Sequence, residues 1–189
     1  MKKLKLNQTA LPGVFLIEPV VFEDERGWFY ESWNKALYHS LGICDDFVQD
    51  NESFSVQGVI RGLHYQKGEY AQSKLVRVLS GEILDIVVDI RLNSPTFGEY
   101  IAVHLSGMNH KQLYIPRGFA HGFVAKSETV HLAYKCDNFY SPAHEGSIFA
   151  DDPELKIDWG TPNENMIFSE KDRRAQSFRS YIKNPDFYF

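Results

Sequence analysis

The chain has 189 residues, 43% of them hydrophobic and 14% aromatic, a composition that excludes a disordered or fibrous protein. Its 20 Lys and Arg against 25 Asp and Glu give a net charge of −5, which argues against nucleic acid as a partner. No run approaches the ~20 apolar residues of a membrane span, and Cys44 and Cys136 have no metal or redox spacing, so we expect one cytoplasmic domain over residues 1–189.

Short β-like runs separated by turn residues dominate the sequence. In chain order, strands are predicted at Val14–Glu18, Trp28–Ser32, Phe47–Ser55, Val59–Gln66, Lys74–Ser80, Glu82–Arg91, Tyr100–Leu105, Lys111–Ile115, Ala120–Ala125 and Thr129–Lys135. The run Glu82–Arg91 has apolar residues at odd and even positions, which is typical of a strand covered on both faces. Glycine-containing turns predict two tight hairpins, at Ser80-Gly81 and around Gly107-Met108-Asn109.

Helix signals are few. Residues Asn34–Leu41 predict a short helix that Asn34 caps and Gly42 ends. Ser169 is expected to cap a second short helix, which contains Lys171 and Asp172. The many short strands at regular spacing favour a mainly β fold, a jelly-roll β-barrel with a few short helices.

Two strand segments place polar groups among apolar residues. In Arg61-Gly62-Leu63-His64-Tyr65-Gln66, the period-2 alternation of a strand puts His64 and Gln66 on one face. In Tyr114–Phe123, a turn is followed by a strand that carries His121. A single histidine on a strand is more often a packed or surface residue than a catalyst, so spacing alone does not make either one catalytic.

Other polar candidates also have ordinary structural explanations. Tyr134 ends one strand and Tyr140 follows it, but tyrosines with tethered hydroxyls are common in cores. Asp172 occupies the third position of the helix that Ser169 caps, where the helix N-terminus stabilises any carboxylate. The residues alone therefore do not decide between a catalytic and a purely structural role for these side chains.

The spacing Pro116-x-Gly118-x-x-His121 resembles the second motif of the cupin superfamily, whose members often bind a metal through an H-x-H pair, a Glu and this His. Here the first motif reads His64-Tyr65-Gln66, with Glu69 near the position of the acidic ligand. Two His and one Glu still make a possible ligand set. Gln is a poor ligand for transition metals, however, and nearby Lys74 would oppose a dication, so no metal is expected.

Nearly the whole chain resembles the dTDP-4-dehydrorhamnose 3,5-epimerase family. Each motif is weak alone, but their order and spacing together are specific. The motifs are Phe22–Phe29, Gln49-Asp50-Asn51, Gly58–Gln66, Lys74–Arg77, Asp89-Ile90-Arg91, Ser94–Gly98, Ile115–Phe123 and Ser169–Asp172. The resemblance implies a cupin-like jelly roll that needs no cofactor.

The family acts on a dTDP-linked 4-keto-6-deoxy sugar, whose ketone makes the hydrogens at C3 and C5 acidic. The resemblance implies conversion of dTDP-4-dehydro-6-deoxy-D-glucose to dTDP-4-dehydro-L-rhamnose, in rhamnose biosynthesis. It assigns the base to His64, the carboxylate that orients this imidazole to Asp172, and the acid to Tyr134. Lys74 matches the cation beside the developing enolate oxygen.

The same resemblance implies a set of residues that contact the substrate. They are Arg26, Glu31, Gln49, Asn51, Arg61, His121, Tyr140, Glu145 and Lys171, with Tyr140 expected to stack on thymine. Family dimers exchange N-terminal strands, so we expect a homodimer in which Arg26 and Glu31 serve the partner chain. The aromatic C-terminus, residues 181–189, is either a dimer-packing tail or a flap over the core.

Three alternatives remain at this stage. An epimerase acting at C3 or C5 alone would use the same residues, because one base and one acid can serve either proton. A metal-dependent cupin is the second alternative. The third is a binding module for sugar nucleotides, although His64, Tyr134, Lys74 and Asp172 together are more than binding requires.

Overall fold

The computed structural model describes residues 3–189, and strands dominate it. The strands in chain order are β1 (Lys5–Gln8), β2 (Phe15–Glu18), β3 (Phe22–Asp24), β4 (Gly27–Phe29), β5 (Gln49–Val56), β6 (Ile60–Gln66), β7 (Lys74–Ser80), β8 (Glu82–Asp89), β9 (Arg91–Leu92), β10 (Tyr100–Ser106), β11 (Gln112–Ile115), β12 (Phe119–Ala125), β13 (Thr129–Cys136), β14 (Glu145–Ser147) and β15 (Phe187–Tyr188). The prediction missed four short strands, β1, β3, β14 and β15. It joined β8 to the start of β9 in one strand, and β4 ends three residues earlier than predicted.

Two antiparallel sheets form the barrel. One has the strand order β1-β2-β11-β7-β13-β5, and the other has the order β10-β8-β12-β6-β14. From β5 to β8, and again from β10 to β14, consecutive strands alternate between the two sheets. This alternation is the jelly-roll topology, so the predicted fold class is confirmed.

The two predicted hairpins are wrong. The Ser80-Gly81 turn joins β7 to β8, and the turn at Gly107 joins β10 to β11, but each pair of strands lies in different sheets. Gly81 has a φ of +81°, and a Cβ there would lie 2.2 Å from the carbonyl oxygen of Thr129. A positive φ allows the chain to reverse both in a hairpin and in a connection between two sheets. The glycines therefore predicted the positions of the turns, but not which strands pair.

Strand β8 is buried on both faces, as predicted. Ile83 and Val87 belong to the core between the two sheets. Ile86 and Val88 face the other way and join a second core with Trp159 from the C-terminal part of the chain. The C-terminal segment therefore covers the outer face of the five-stranded sheet.

Three short α-helices occur within residues 3–189: α1 (Lys35–Ser40), α2 (Glu170–Arg173) and α3 (Phe178–Lys183). Both predicted caps are confirmed. Asn34 accepts the Leu37 N–H at 3.2 Å, and Ser169 accepts the Asp172 N–H at 3.1 Å. Helix α3, which the prediction missed, has a similar serine cap. Across the described residues, no helix has both the length and the apolar character needed to span a membrane.

The aromatic C-terminus packs on its own chain. Strand β15 runs parallel to β9, and the Phe189 N–H donates to the carbonyl of Leu92 at 2.9 Å. The Tyr65 hydroxyl donates to Asp186 at 2.8 Å, which ties the tail to strand β6. The tail is therefore a flap over the core, although the side chains of Tyr188 and Phe189 remain exposed.

Candidate active site

A histidine and a buried carboxylate from distant parts of the chain meet at one wall of the barrel. His64 on β6 and Asp172 on α2 are 108 residues apart, and His64 Nε2 lies 2.6 Å from Asp172 Oδ1. The Ser169 hydroxyl donates to the other carboxylate oxygen at 2.7 Å. Asp172 is therefore both a residue of the helix cap and the partner of His64. Since Nε2 is held by the carboxylate, Nδ1 is the ring nitrogen left for a substrate.

A β-bulge brings Arg61 to the same wall as His64. Strict alternation would place residues 61 and 64 on opposite faces of β6. Instead, His64 pairs with His121 and Arg61 with Phe123, so the two residues 62 and 63 of β6 stand opposite Gly122 alone. Bulges of this kind re-aim side chains beside functional sites. The two strands can approach here because Gly62 and Gly122 have no Cβ.

Replacing Gly62 by Ala is expected to lower both stability and activity. Gly62 has a φ of +136°, and its new Cβ would lie 2.5 Å from the Cα of Gly122. The strain and the clash together should cost about 2–4 kcal/mol of unfolding free energy in urea titrations. Gly42→Ala is the matched control, because Gly42 has a φ of +94° but no atom near the new Cβ. Equal losses for the two variants would contradict the close strand approach.

The opposing sheet supplies the second wall. Together the walls enclose a cavity of about 580 Å³ that is lined by Arg61, His64, His121, Tyr134 and Asp172 among others. Tyr134 lies on β13 of the six-stranded sheet, whereas His64 lies on β6 of the five-stranded sheet. An imidazole and a phenol therefore face the same space from opposite sides.

Lys74 and two amides surround Tyr134. Lys74 shares its strand face with Val76 of the inner core, and its Nζ lies 6.0 Å from the centre of the Tyr134 ring. Asn51 is the register partner of Tyr134, and Gln49 donates to the Asn51 side chain at 3.0 Å. The backbone N–H of Tyr140 donates to Gln49 at 3.0 Å. This wall thus presents one cation and several neutral polar groups.

Three residues at the rim form a connected polar cluster. The Tyr140 hydroxyl donates to Glu145 at 2.9 Å, and the Lys171 ammonium contacts the same carboxylate oxygen at 2.5 Å. Burial alone would raise the pKa of Glu145, but hydrogen bonds from Lys171 and Tyr140 hold it below its usual value. Tyr140 has 51% of its surface exposed, so its ring is available for stacking.

Burial and hydrogen bonding set the charge states of three groups in the site. Burial would raise the pKa of Asp172, but hydrogen bonds from His64 and Ser169 lower it below its usual value. Burial raises the pKa of Tyr134, which keeps its hydroxyl protonated. Burial lowers the pKa of Lys74, and nearby groups oppose that shift. The site therefore offers a fixed carboxylate beside an imidazole, and a protonated phenol opposite them.

Two residues that the resemblance assigned to the substrate lie away from this cavity. Arg26 stands at the turn between β3 and β4, where it pairs with Asp24 in an exposed hairpin. Glu31 accepts a hydrogen bond from the side chain of Asn34, the cap of α1. Sequence reasoning also missed Asp85, which reaches the site through His121. Its only signal was a carboxylate among the apolar residues of a strand that also carries Glu82 and Asp89.

The possible metal ligands His64, His121 and Glu69 do not come together as a group of three in the described part of the chain. Glu69 lies in a single 3₁₀ turn after β6, and His64 is paired with Asp172. Gln66 donates to the carbonyls of Tyr70 and Phe139, so its amide holds loops together. Within residues 3–189, no three His, Cys, Asp or Glu side chains are grouped as metal ligands.

Comparison with known proteins gives consistent matches over almost the full length. A family model described as dTDP-4-dehydrorhamnose 3,5-epimerase matches residues 8–180. The protein of that name from Methanothermobacter thermautotrophicus is 47% identical over 180 residues, which cover 95% of this chain and 97% of the relative.

Two solved structures are also similar. A dTDP-4-dehydrorhamnose 3,5-epimerase from Elizabethkingia anophelis is 52% identical, with a TM-score of 0.90 over 94% of this chain and 97% of that one. A dTDP-6-deoxy-D-glucose-3,5-epimerase from Legionella pneumophila, in complex with dTDP-4-keto-L-rhamnose, is 45% identical, with a TM-score of 0.94 over 99% of both chains.

Proposed function

Because the chain belongs to the dTDP-4-dehydrorhamnose 3,5-epimerase family, we propose that it inverts C3 and C5 of a dTDP-linked 4-keto-6-deoxy sugar. The product of this reaction is dTDP-4-dehydro-L-rhamnose, formed from dTDP-4-dehydro-6-deoxy-D-glucose. One observation carries the proposal. An imidazole held by a buried carboxylate at 2.6 Å faces a protonated phenol on the opposite sheet, across one cavity.

The geometry accounts for each step of an epimerisation. Nδ1 of His64 removes a proton from the carbon next to the ketone, and the electron pair moves onto the ketone oxygen as an enolate. Asp172 stabilises the imidazolium that forms, because its carboxylate remains ionised. The Tyr134 hydroxyl then donates a proton to the same carbon from the opposite face, which inverts the centre. Exchange with solvent removes the proton from His64 and returns one to Tyr134 before the second inversion. Lys74 stabilises the enolate oxygen in a cavity that shields it from bulk water.

The rim of the cavity suits the nucleotide. Arg61 and Lys171 supply cations for the diphosphate. The Arg61 guanidinium is held in place because it donates to the Ser55 hydroxyl and to the carbonyl of Phe54, each at 3.0 Å. The exposed ring of Tyr140 is available to stack on thymine. Glu145 is already bound by Lys171 and Tyr140, so it orients both residues before the ligand arrives. Gln49, Asn51 and His121 are the remaining polar contacts for the sugar.

We also propose a homodimer in which each chain lends its N-terminal hairpin to the partner. The hairpin of β3 and β4 exposes the large apolar side chains of Phe22, Trp28 and Phe29, and such patches mark interfaces. Arg26 at its turn lies outside the cavity of its own chain. A cytoplasmic location fits the two free thiols, Cys44 and Cys136.

Mixing two inactive variants should restore activity if the hairpins are exchanged. Arg26→Ala lacks the contributed cation and His64→Asn lacks the base, so each homodimer has two defective sites. In a mixed dimer, the chain with its own His64 receives Arg26 from the other variant. Random reassociation of equal amounts should recover about a quarter of the activity of the unaltered protein. Activity no higher than that of the two separate variants would contradict the exchange.

The proposed reaction is tested by incubation with dTDP-4-keto-6-deoxyglucose in deuterated water, followed by NMR. We expect deuterium at both C3 and C5, because each inversion replaces a carbon-bound hydrogen with one from solvent. Label at one carbon alone would contradict the double epimerisation and indicate a single-site epimerase. Label at neither carbon, with intact binding of dTDP, would leave a binding module. Loss of turnover after chelation, and its return with metal, would favour a metal-dependent cupin.

A further inference from the structure

Strand β8 carries a buried carboxylate that the mechanism above does not use. Asp85 is 0% exposed, and its neighbours on the same face, Ile83 and Val87, belong to the apolar core between the sheets. One oxygen, Oδ1, lies 2.8 Å from Nε2 of His121. The other, Oδ2, is buried and has no hydrogen-bond partner among residues 3–189. A buried charge of this kind destabilises the fold unless a nearby cation compensates it.

The pair formed by His121 and Asp85 stands directly beside the pair formed by His64 and Asp172. His121 and His64 are register partners on neighbouring strands, so their side chains lie next to each other on one wall. Each imidazole is held through Nε2 by its own buried carboxylate. His121 lines the cavity, and its Nδ1 makes no hydrogen bond to the described residues, so this nitrogen is left for the sugar.

Lys74, on the opposite wall, is the cation whose charge Asp85 favours. Lys74 on β7 and Asp85 on β8 both belong to the inner faces of the two sheets, next to core residues Val76, Ile83 and Val87. Besides Tyr134, whose ring centre lies 6.0 Å away, the ionisable groups whose charges act on Lys74 are Cys136 on β13, Asp85 on β8 and Glu145 on β14. Burial raises the pKa of the Cys136 thiol to about 11, so it carries no negative charge near neutral pH. Glu145 is bound by the ammonium of Lys171. Asp85 is the carboxylate that remains to balance the Lys74 ammonium.

We propose that Asp85 is a positioning residue of the reaction, which holds His121 through Nε2 and keeps Lys74 charged at the enolate oxygen. This inference rests on the proposed function. Asp85 touches no substrate atom itself. It acts through the two side chains on either side of it, one on each wall of the barrel.

The sign of its effect on pH dependence follows from the charge of Lys74. Burial lowers the pKa of Lys74, and the negative charge of Asp85 opposes that lowering. Activity that needs the ammonium is lost as the pH rises through the pKa of Lys74. Removing the charge at position 85 lowers that pKa further, so the alkaline limb of the pH profile moves to lower pH.

The test compares Asp85→Asn with the unaltered protein in the deuterium-exchange assay. We expect kcat to fall about 10- to 100-fold at neutral pH. The alkaline limb should move to lower pH by on the order of one unit, as expected for the loss of a nearby charge. Asp89→Asn is the matched control, since Asp89 is an equally buried carboxylate on the same strand that binds Arg91, Ser94 and Thr96 instead. It should lower the thermal midpoint without moving the pH profile.

A second measurement needs neither turnover nor a variant at position 85. In the unaltered protein labelled with ¹⁵N-histidine, the His121 resonances, assigned by their loss in His121→Gln, should show a proton on Nε2. A bare Nε2 would overturn the proposal, and so would an Asp85→Asn profile that superimposes on that of the unaltered protein. If the unaltered protein exchanges deuterium at neither carbon, it is the proposed function that fails.

Discussion

Replacing His64 by Asn is expected to lower kcat by about 10²- to 10⁴-fold, the usual contribution of a general base, while dTDP binds within a few-fold of its normal affinity. Asn has a similar size and can still accept a hydrogen bond, but it cannot take up a proton. The substitution leaves in place the three rim residues proposed to bind the nucleotide, Arg61, Tyr140 and Lys171. The loss should therefore appear in kcat, with little change in nucleotide affinity.

Deuterium exchange gives this variant a sharper test than turnover alone. One imidazole serves both carbons in the proposed mechanism, so exchange at C3 and at C5 should fall together. Exchange that persists at either carbon would require a second base and would contradict the mechanism. His104→Asn is the matched control, because His104 lies on the exposed strand β10 and pairs with Glu82 away from the cavity. It should retain full activity.

The residue pattern predicted the barrel well because burial follows strand alternation. Ile83, Ile86 and Val87 of β8 do lie in two different cores, as apolar residues at both parities required. The residue pattern does not predict which strands pair. Gly81 supplies a turn, but whether the next strand returns to the same sheet depends on long-range contacts that no local signal encodes.

The site was predictable where it depends on motifs and unpredictable where it depends on a bulge. Period-2 alternation placed His64 correctly with Gln66, but it would have put Arg61 on the opposite face. The extra residue of the bulge at Gly62-Leu63 turns Arg61 to the same face as His64. A glycine in a strand is not enough to predict a bulge. Asp85 was not predicted for a different reason. It is one of three acidic residues on β8, and its partner His121 is 36 residues away on another strand.

Position 172 was the residue for which the sequence left two explanations, and the structure shows that both apply to one side chain. Oδ1 of Asp172 contacts the imidazole of His64, while Oδ2 accepts the hydroxyl of Ser169, the helix cap. A cap residue affects stability, whereas the partner of a base affects the rate. The two roles are therefore separable by measuring both quantities on the same variants.

Replacing Asp172 by Asn should lower kcat by about 10²- to 10³-fold and change the unfolding free energy by no more than about 1 kcal/mol. The amide can still occupy the helix terminus, but it has no charge to stabilise an imidazolium on His64. Ser177→Ala provides the matched stability control, because Ser177 caps α3 in the way Ser169 caps α2, outside the cavity. It should lose about 1 kcal/mol in urea titration and keep its kcat.

The loss of unfolding free energy at acid pH provides a further test of the same variant. The pKa of Asp172 is lowered in the folded state, so its carboxylate stabilises the fold above the ordinary value of 3.8. That contribution is lost as the pH falls through the lowered pKa, and Asp172→Asn should remove this part of the acid dependence. A variant that loses the acid dependence but keeps its kcat would show that Asp172 only caps the helix. Loss of both would establish that the cap of α2 also holds the base, so that docking this helix on the barrel assembles the catalytic pair.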